Sequence, residues 1–214
     1  KGTQDMLTIG STAPAFNLKT ESGKTVSSAS LKGQRFVLYF YPKDDTPGCT
    51  KEACSFRDNL PAFNKLKVPV FGISADDEKA HGKFVAKYQL NFSLLADPEH
   101  ETCDAFGTWV EKNMYGRKYF GIQRSTFIIS DKGKIEHVWE KVSPDGHAEE
   151  VLAFLNGASG AKISPVKKTT GSKAPASKTA ANKVVVKKAP AKKVIAKKAV
   201  AKKAVAKKAP AKKT

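Results

Sequence analysis

The chain reads as an α/β domain followed by a basic tail. Three observations say so. Two apolar, β-branched runs, 35–41 and 69–74, are each followed by a segment with helical spacing of apolar residues. A pair of strand-like runs and a last helical segment close the domain by residue 157. Beyond that point the composition turns to Lys and Ala, with nothing to build a core.

Taken in order, Arg35-Phe-Val-Leu-Tyr-Phe-Tyr41 is apolar on both alternate positions, the pattern of a strand buried on both faces. A Thr-Pro-Gly turn at 46–48 ends it, and the spacing of Ala53, Phe56, Leu60, Phe63 and Leu66 predicts a helix over 50–66. Pro69 to Ser74 reads as a second buried strand and Glu78 to Tyr88 as a helix. Glu101-Thr-Cys-Asp-Ala-Phe106 reads as helical, with Cys103 a semi-buried structural thiol. Ser125–Ser130 and Ile135–Trp139 predict antiparallel strands joined by the hairpin signal Asp131-Lys-Gly-Lys134. His147 to Leu155 is a last helix, with Gly157 just past its end. About 155 residues suffice for one core, and no apolar run approaches the eighteen or so residues of a membrane span.

The chemistry concentrates in Tyr41-Pro-Lys-Asp-Asp-Thr-Pro-Gly-Cys-Thr-Lys-Glu-Ala-Cys54. Cys49 falls at a strand-to-helix junction, in the first turn of the helix. Free amides and the helix dipole there favour a thiolate, the nucleophilic form of cysteine. They also stabilise charge developing on a bound substrate. Glu52, placed in that same first turn, complements the dipole. Five residues along a helix advance about 7.5 Å and turn about 140°, which sets the Cα atoms of Cys49 and Cys54 roughly 8–9 Å apart. A disulfide needs about 7 Å or less. On an intact helix the pair cannot bond until the helix unwinds, which suits a switch better than a static staple. A zinc site is the weaker reading, because Cys103 and the four histidines show no metal-ligand spacing.

Pro42, Thr46 and Cys49 match the Pro-x-x-x-Thr-x-x-Cys signature, and the chain resembles the peroxiredoxins on that account. The continuation through Cys54 resembles their bacterioferritin comigratory protein branch, also called peroxiredoxin Q. Gly10–Leu18, Val70–Ser74, Phe92–Asp97 and Gly121–Phe127 are similar to its successive blocks, so the likeness spans about seven tenths of the chain. The resemblance implies a thioredoxin-like fold with a mixed sheet flanked by helices, over residues 1–157. It implies that Cys49 attacks the O–O bond of a hydroperoxide and becomes a sulfenic acid. Thr46 then hydrogen-bonds thiolate and peroxide, and Pro42 shields the pocket. An arginine from a later strand holds the sulfur ionised and orients the peroxide; Arg124 fits best, with Arg117 its nearest rival. Cys54 becomes the resolving residue, forming a disulfide that thioredoxin or a similar dithiol reduces. A monomer without cofactor or metal is implied.

Residues 158–214 form the second region, expected to be disordered alone. From Lys162 onward there are 18 lysines and no acidic or aromatic residue, which leaves 20 basic against 20 acidic residues in the body and assigns the whole net charge of +18 to the tail. Lysine pairs recur every five residues at Lys187, Lys188, Lys192, Lys193, Lys197, Lys198, Lys202, Lys203, Lys207, Lys208, Lys212 and Lys213. This spacing spreads charge round all sides of any helix, and Pro175, Pro190 and Pro210 interrupt one. The composition resembles the tail of linker histone H1 and of Lys/Ala-rich bacterial nucleoid proteins. It predicts salt-sensitive, sequence-independent binding to DNA or chromatin. An anionic membrane is a poorer partner, since no bulky apolar face accompanies the charge. Two functions are therefore expected to compete: a thiol peroxidase tethered to DNA, and a DNA-compacting protein whose redox domain senses peroxide. A cycling dithiol belongs in a reducing intracellular compartment, and the tail points to a nucleus or a bacterial nucleoid.

Overall fold

The structure is a computed structural model that describes residues 5–114 and 116–157. The tail and its lysine pairs lie outside the described residues. Strands β1 (Asn17–Thr20), β2 (Thr25–Ser27), β3 (Phe36–Phe40), β4 (Val70–Ser74), β5 (Leu94–Ala96), β8 (Ser125–Ile129) and β9 (Ile135–Trp139) make one sheet in the order β2-β1-β5-β4-β3-β8-β9. β3, β4 and β5 run parallel, and β1, β2, β8 and β9 join antiparallel. Strands β6 (Trp109–Met114) and β7 (Arg117–Ile122) pair as a separate hairpin. Helices α1 (Pro47–Lys65) and α2 (Glu78–Tyr88) make the two parallel crossovers, α3 (Glu101–Ala105) is one short turn, and α4 (His147–Leu155) closes the domain. This is the expected thioredoxin-like α/β fold, a central mixed sheet flanked by helices.

β3 sits at the centre because every side chain in it has a core to enter. Val37 and Tyr39, followed by Tyr41, join one cluster with Cys49, Phe56 and Phe63 of α1, Phe84 of α2 and Val151 of α4. Phe36, Leu38 and Phe40 join the other, with Leu95, Cys103, Phe106 and Phe127. The two-residue period of a strand divides them. Tyr39 stacks on Phe56 with ring centroids 4.7 Å apart, and Gly72 makes room for it: a Cβ there would lie 2.7 Å from the Tyr39 hydroxyl.

The strand and helix expectations of the core hold to within a few residues, with one correction of consequence. α1 begins at Pro47, not at residue 50, because proline is at home in the first helical position and Thr46 keeps an extended backbone (φ −93°, ψ 150°) as the N-cap. Glu52 therefore lies outside the first turn, which holds no acidic residue. The strands β1, β2, β5, β6 and β7 have no counterpart in the sequence reading.

Candidate active site

Cys49 is the third residue of α1 and only 2 % exposed. The first helical hydrogen bond runs from Thr50 N to Thr46 O, so the amides of Gly48 and Cys49 precede it and remain at the positive end of the helix. Arg124 faces them from the link between β7 and β8. Its Nη2 donates to Cys49 Sγ at 3.1 Å, and its Nη1 donates to Glu52 Oε2. The guanidinium sets a fixed positive charge in contact with the sulfur. Arg117, by contrast, is exposed on β7.

Arg124 is held by its surroundings. Its carbonyl accepts from Val142 N at 3.1 Å, Gln123 N donates to Thr108 O at 2.7 Å, and Gln123 Nε2 and Ser125 Oγ both donate to Glu140 O. Lys112 of β6 donates to Ile122 O at 2.6 Å, which fixes the end of β7 just before it. Burial pushes the Lys112 ammonium below its usual range and Arg124 adds repulsion, while the Cys49 sulfur opposes both. Gly48 packs beside this contact: a Cβ there would lie 3.4 Å from both Arg124 Nη2 and the Pro144 ring.

Two buried ionisable groups frame this contact. Glu52 is fully buried, and its Oε1 has no partner among the described residues. Burial raises its carboxyl to about 7 despite the attraction and hydrogen bond of Arg124. His147 opens α4 and is 1 % exposed, its Nε2 2.8 Å from Thr126 Oγ1. Burial, with repulsion from Arg124, lowers it to about 4, so the imidazole is neutral.

The remaining expected residues fall as follows. Cys54 is half-buried on α1 and free, and both cysteines lie on the continuous helix. The Thr46 hydroxyl does not reach the sulfur. It donates to Lys43 O at 3.1 Å, closing the turn before the helix, and makes no side-chain cap. Pro42 is exposed just beyond β3. Cys103 is buried in the opposite core cluster, its thiol pushed well up by burial, and is remote from Cys49 by placement. No group of three or more metal-ligating side chains occurs among the described residues. Sequence reasoning missed the parts that Glu52 and His147 play here. The signal for Glu52 was available: it lies between Cys49 and Ala53, on the helical face that carries the apolar positions.

Comparison with known proteins gives the family. The AhpC/TSA family profile matches residues 9–138. The bcp protein of Coxiella burnetii is 51 % identical over 147 residues, 69 % of this chain and 97 % of that protein. Peroxiredoxin Bcp of Bacillus subtilis is 46 % identical over 151 residues, 71 % of this chain and 96 % of that one. The structure of the Xanthomonas campestris bacterioferritin comigratory protein, described for its alkyl peroxide reduction activity, superposes with a TM-score of 0.64 at 40 % identity. It covers 67 % of this chain and 91 % of that one. A sulfur at a helix start under a guanidinium, on a thioredoxin-like sheet and with these relatives, places the chain in the AhpC/TSA family as a peroxiredoxin of the Bcp/peroxiredoxin Q branch.

Proposed function

We propose that Cys49 is the peroxide-attacking residue and Cys54 its resolving partner. The Cys49 thiolate attacks one oxygen of a hydroperoxide and the O–O bond breaks; the departing alkoxide or hydroxide takes up the proton the thiol gave up on ionising and leaves as alcohol or water, with Cys49 now a sulfenic acid. Cys54 then attacks that sulfur, a disulfide forms and water departs. A dithiol protein of the thioredoxin kind reduces the bond. The observation that carries this reading is the 3.1 Å contact of Arg124 Nη2 with Cys49 Sγ at the start of α1. Arg124 aligns the peroxide and stabilises charge on the departing oxygen. The alkyl peroxide reduction activity of the Xanthomonas relative supports organic hydroperoxides as substrates beside hydrogen peroxide. Thr46 keeps a lesser part: its hydroxyl, turned to Lys43 O, must rotate to meet a bound peroxide. Peroxide consumption with a thioredoxin system tests the reading. Cys49→Ser is expected to abolish turnover, and unchanged turnover would remove Cys49 from the reaction.

The tail supports a second element of the reading, that the enzyme is held on DNA. Eighteen lysines without a single acidic residue are suited to displacing counterions from phosphates. Binding is then independent of base sequence and falls steeply with salt. The competing reading, a DNA-compacting protein with a peroxide sensor, predicts poor turnover even with an efficient reductant.

A further inference from the structure

The loop ahead of Cys49 and the helix beyond Cys54 are tied to the same residue. Asp45 adopts a left-handed backbone, φ 56°, which strains a non-glycine residue. In that conformation its carboxylate accepts from Lys87 Nζ at 2.6 and 2.8 Å and from the Tyr88 hydroxyl at 2.5 Å. Lys87 and Tyr88 are the last two residues of α2. The main-chain carbonyl of the same Tyr88 accepts from Arg57 Nη1 at 2.7 Å. Arg57 lies three residues past Cys54. The preceding residue, Asp44, is anchored to α2 as well: its buried carboxylate takes the Tyr41 hydroxyl at 2.7 Å and His81 Nδ1 at 2.8 Å, and its amide donates to Asp76 Oδ2.

We infer that the end of α2 is a bracket that clamps both ends of the segment 46–56 and so sets how readily its helix unwinds. Asp45 and Tyr88 are positioning residues that act through α1. The inference rests on the Cys49–Cys54 disulfide reading, because unwinding has a consequence only if the two sulfurs must meet. Two fates then compete for the Cys49 sulfenic acid. On the wound helix a second hydroperoxide oxidises it to a sulfinic acid, giving up one oxygen and leaving as alcohol or water. On the unwound segment the Cys54 sulfur displaces hydroxide from the Cys49 sulfur, the Cys54 proton joins it as water, and the disulfide closes. The bracket favours the wound state, hence fast peroxide attack and slow closure.

The test removes one hydrogen bond with the ring retained. Tyr88→Phe and Asp45→Asn are compared with wild type in two measurements. The first is the ratio of sulfinic acid to Cys49–Cys54 disulfide, by mass spectrometry after excess hydrogen peroxide. The second is amide hydrogen exchange across residues 48–54 of the reduced protein. Loss of one such bond is expected to shift the ratio toward disulfide by roughly fivefold and to speed exchange in the same segment by a similar factor. An unchanged ratio together with unchanged exchange in both variants overturns the bracket, as does a shift toward sulfinic acid. Faster exchange in a protein whose wild type never forms the disulfide keeps the bracket and removes the resolving role of Cys54.

Discussion

Arg124 bridges Cys49 and Glu52, and the unexpected member of the three is Glu52. A carboxylate beside Arg124 with one oxygen unpartnered in the core is costly, and its rise to about 7 records that cost. The pH dependence of stability follows with opposite signs for the two buried groups. Glu52 holds its proton more tightly folded than unfolded, so its contribution is present below its ordinary 4.5 and is lost as pH rises through 7. His147 is lowered from 6.5 to about 4, so its contribution is present above 6.5 and is lost as pH falls through 4. Each displacement is worth about 3 kcal/mol, and the two largely cancel between them. Denaturant melts from pH 4.5 to 6.5 are expected to be nearly flat for these groups in wild type. Glu52→Gln should expose a rise of stability with pH, and His147→Asn a fall; parallel curves for all three proteins would contradict the account. Activity separates the pair differently. Arg124→Gln should lower the peroxide rate constant by about 100-fold, the scale of a lost charge-stabilising donor. Glu52→Gln, which spares the guanidinium, should stay within a few-fold of wild type in stopped-flow measurements.

At the scale of elements, α1 is one continuous helix from Pro47 to Lys65. It runs through Pro61, which has no N–H to give to the carbonyl of Arg57. That carbonyl is taken instead by Asn91 Nδ2 at 3.2 Å. Asn91→Ala is expected to cost about 1 kcal/mol in urea melts. The same change in a Pro61→Ala background should cost close to nothing, because the alanine amide restores the helical bond. Equal losses in both backgrounds would refute the compensation. The elements also show what a sequence carries. β3, β4, α1, α2, β8, β9 and α4 were legible because each buries a continuous run or stripe of apolar side chains. β1, β2 and β5 are three or four residues long, too short for a period to register. β6 and β7 hold Glu111, Lys112, Asn113, Lys118 and Tyr119 in a mostly exposed hairpin, so no alternation marks them. Arg124 was found by its place before a strand. The part of Glu52 was not, since starting α1 three residues late moved it to the helix mouth.

At the scale of the whole molecule, the chain joins a formally neutral enzyme domain to a tail that carries all the net charge. The two parts call for separate measurements. Truncation after Gly160 should abolish gel retardation of DNA at low salt and leave the peroxide rate nearly intact. Equal DNA affinity of the shortened chain would refute the tether. Among the described residues no helix is long and apolar enough to cross a membrane. The central claim, a helix-start sulfur that must leave its helix to find its partner, is tested most directly by one addition. The reduced protein receives one equivalent of hydrogen peroxide, is quenched with a thiol-blocking reagent, and is mapped by mass spectrometry. The account predicts a peptide linked through Cys49 and Cys54, with Cys103 blocked as a free thiol; a persisting Cys49 sulfenic acid, or a bond to Cys103, would contradict it.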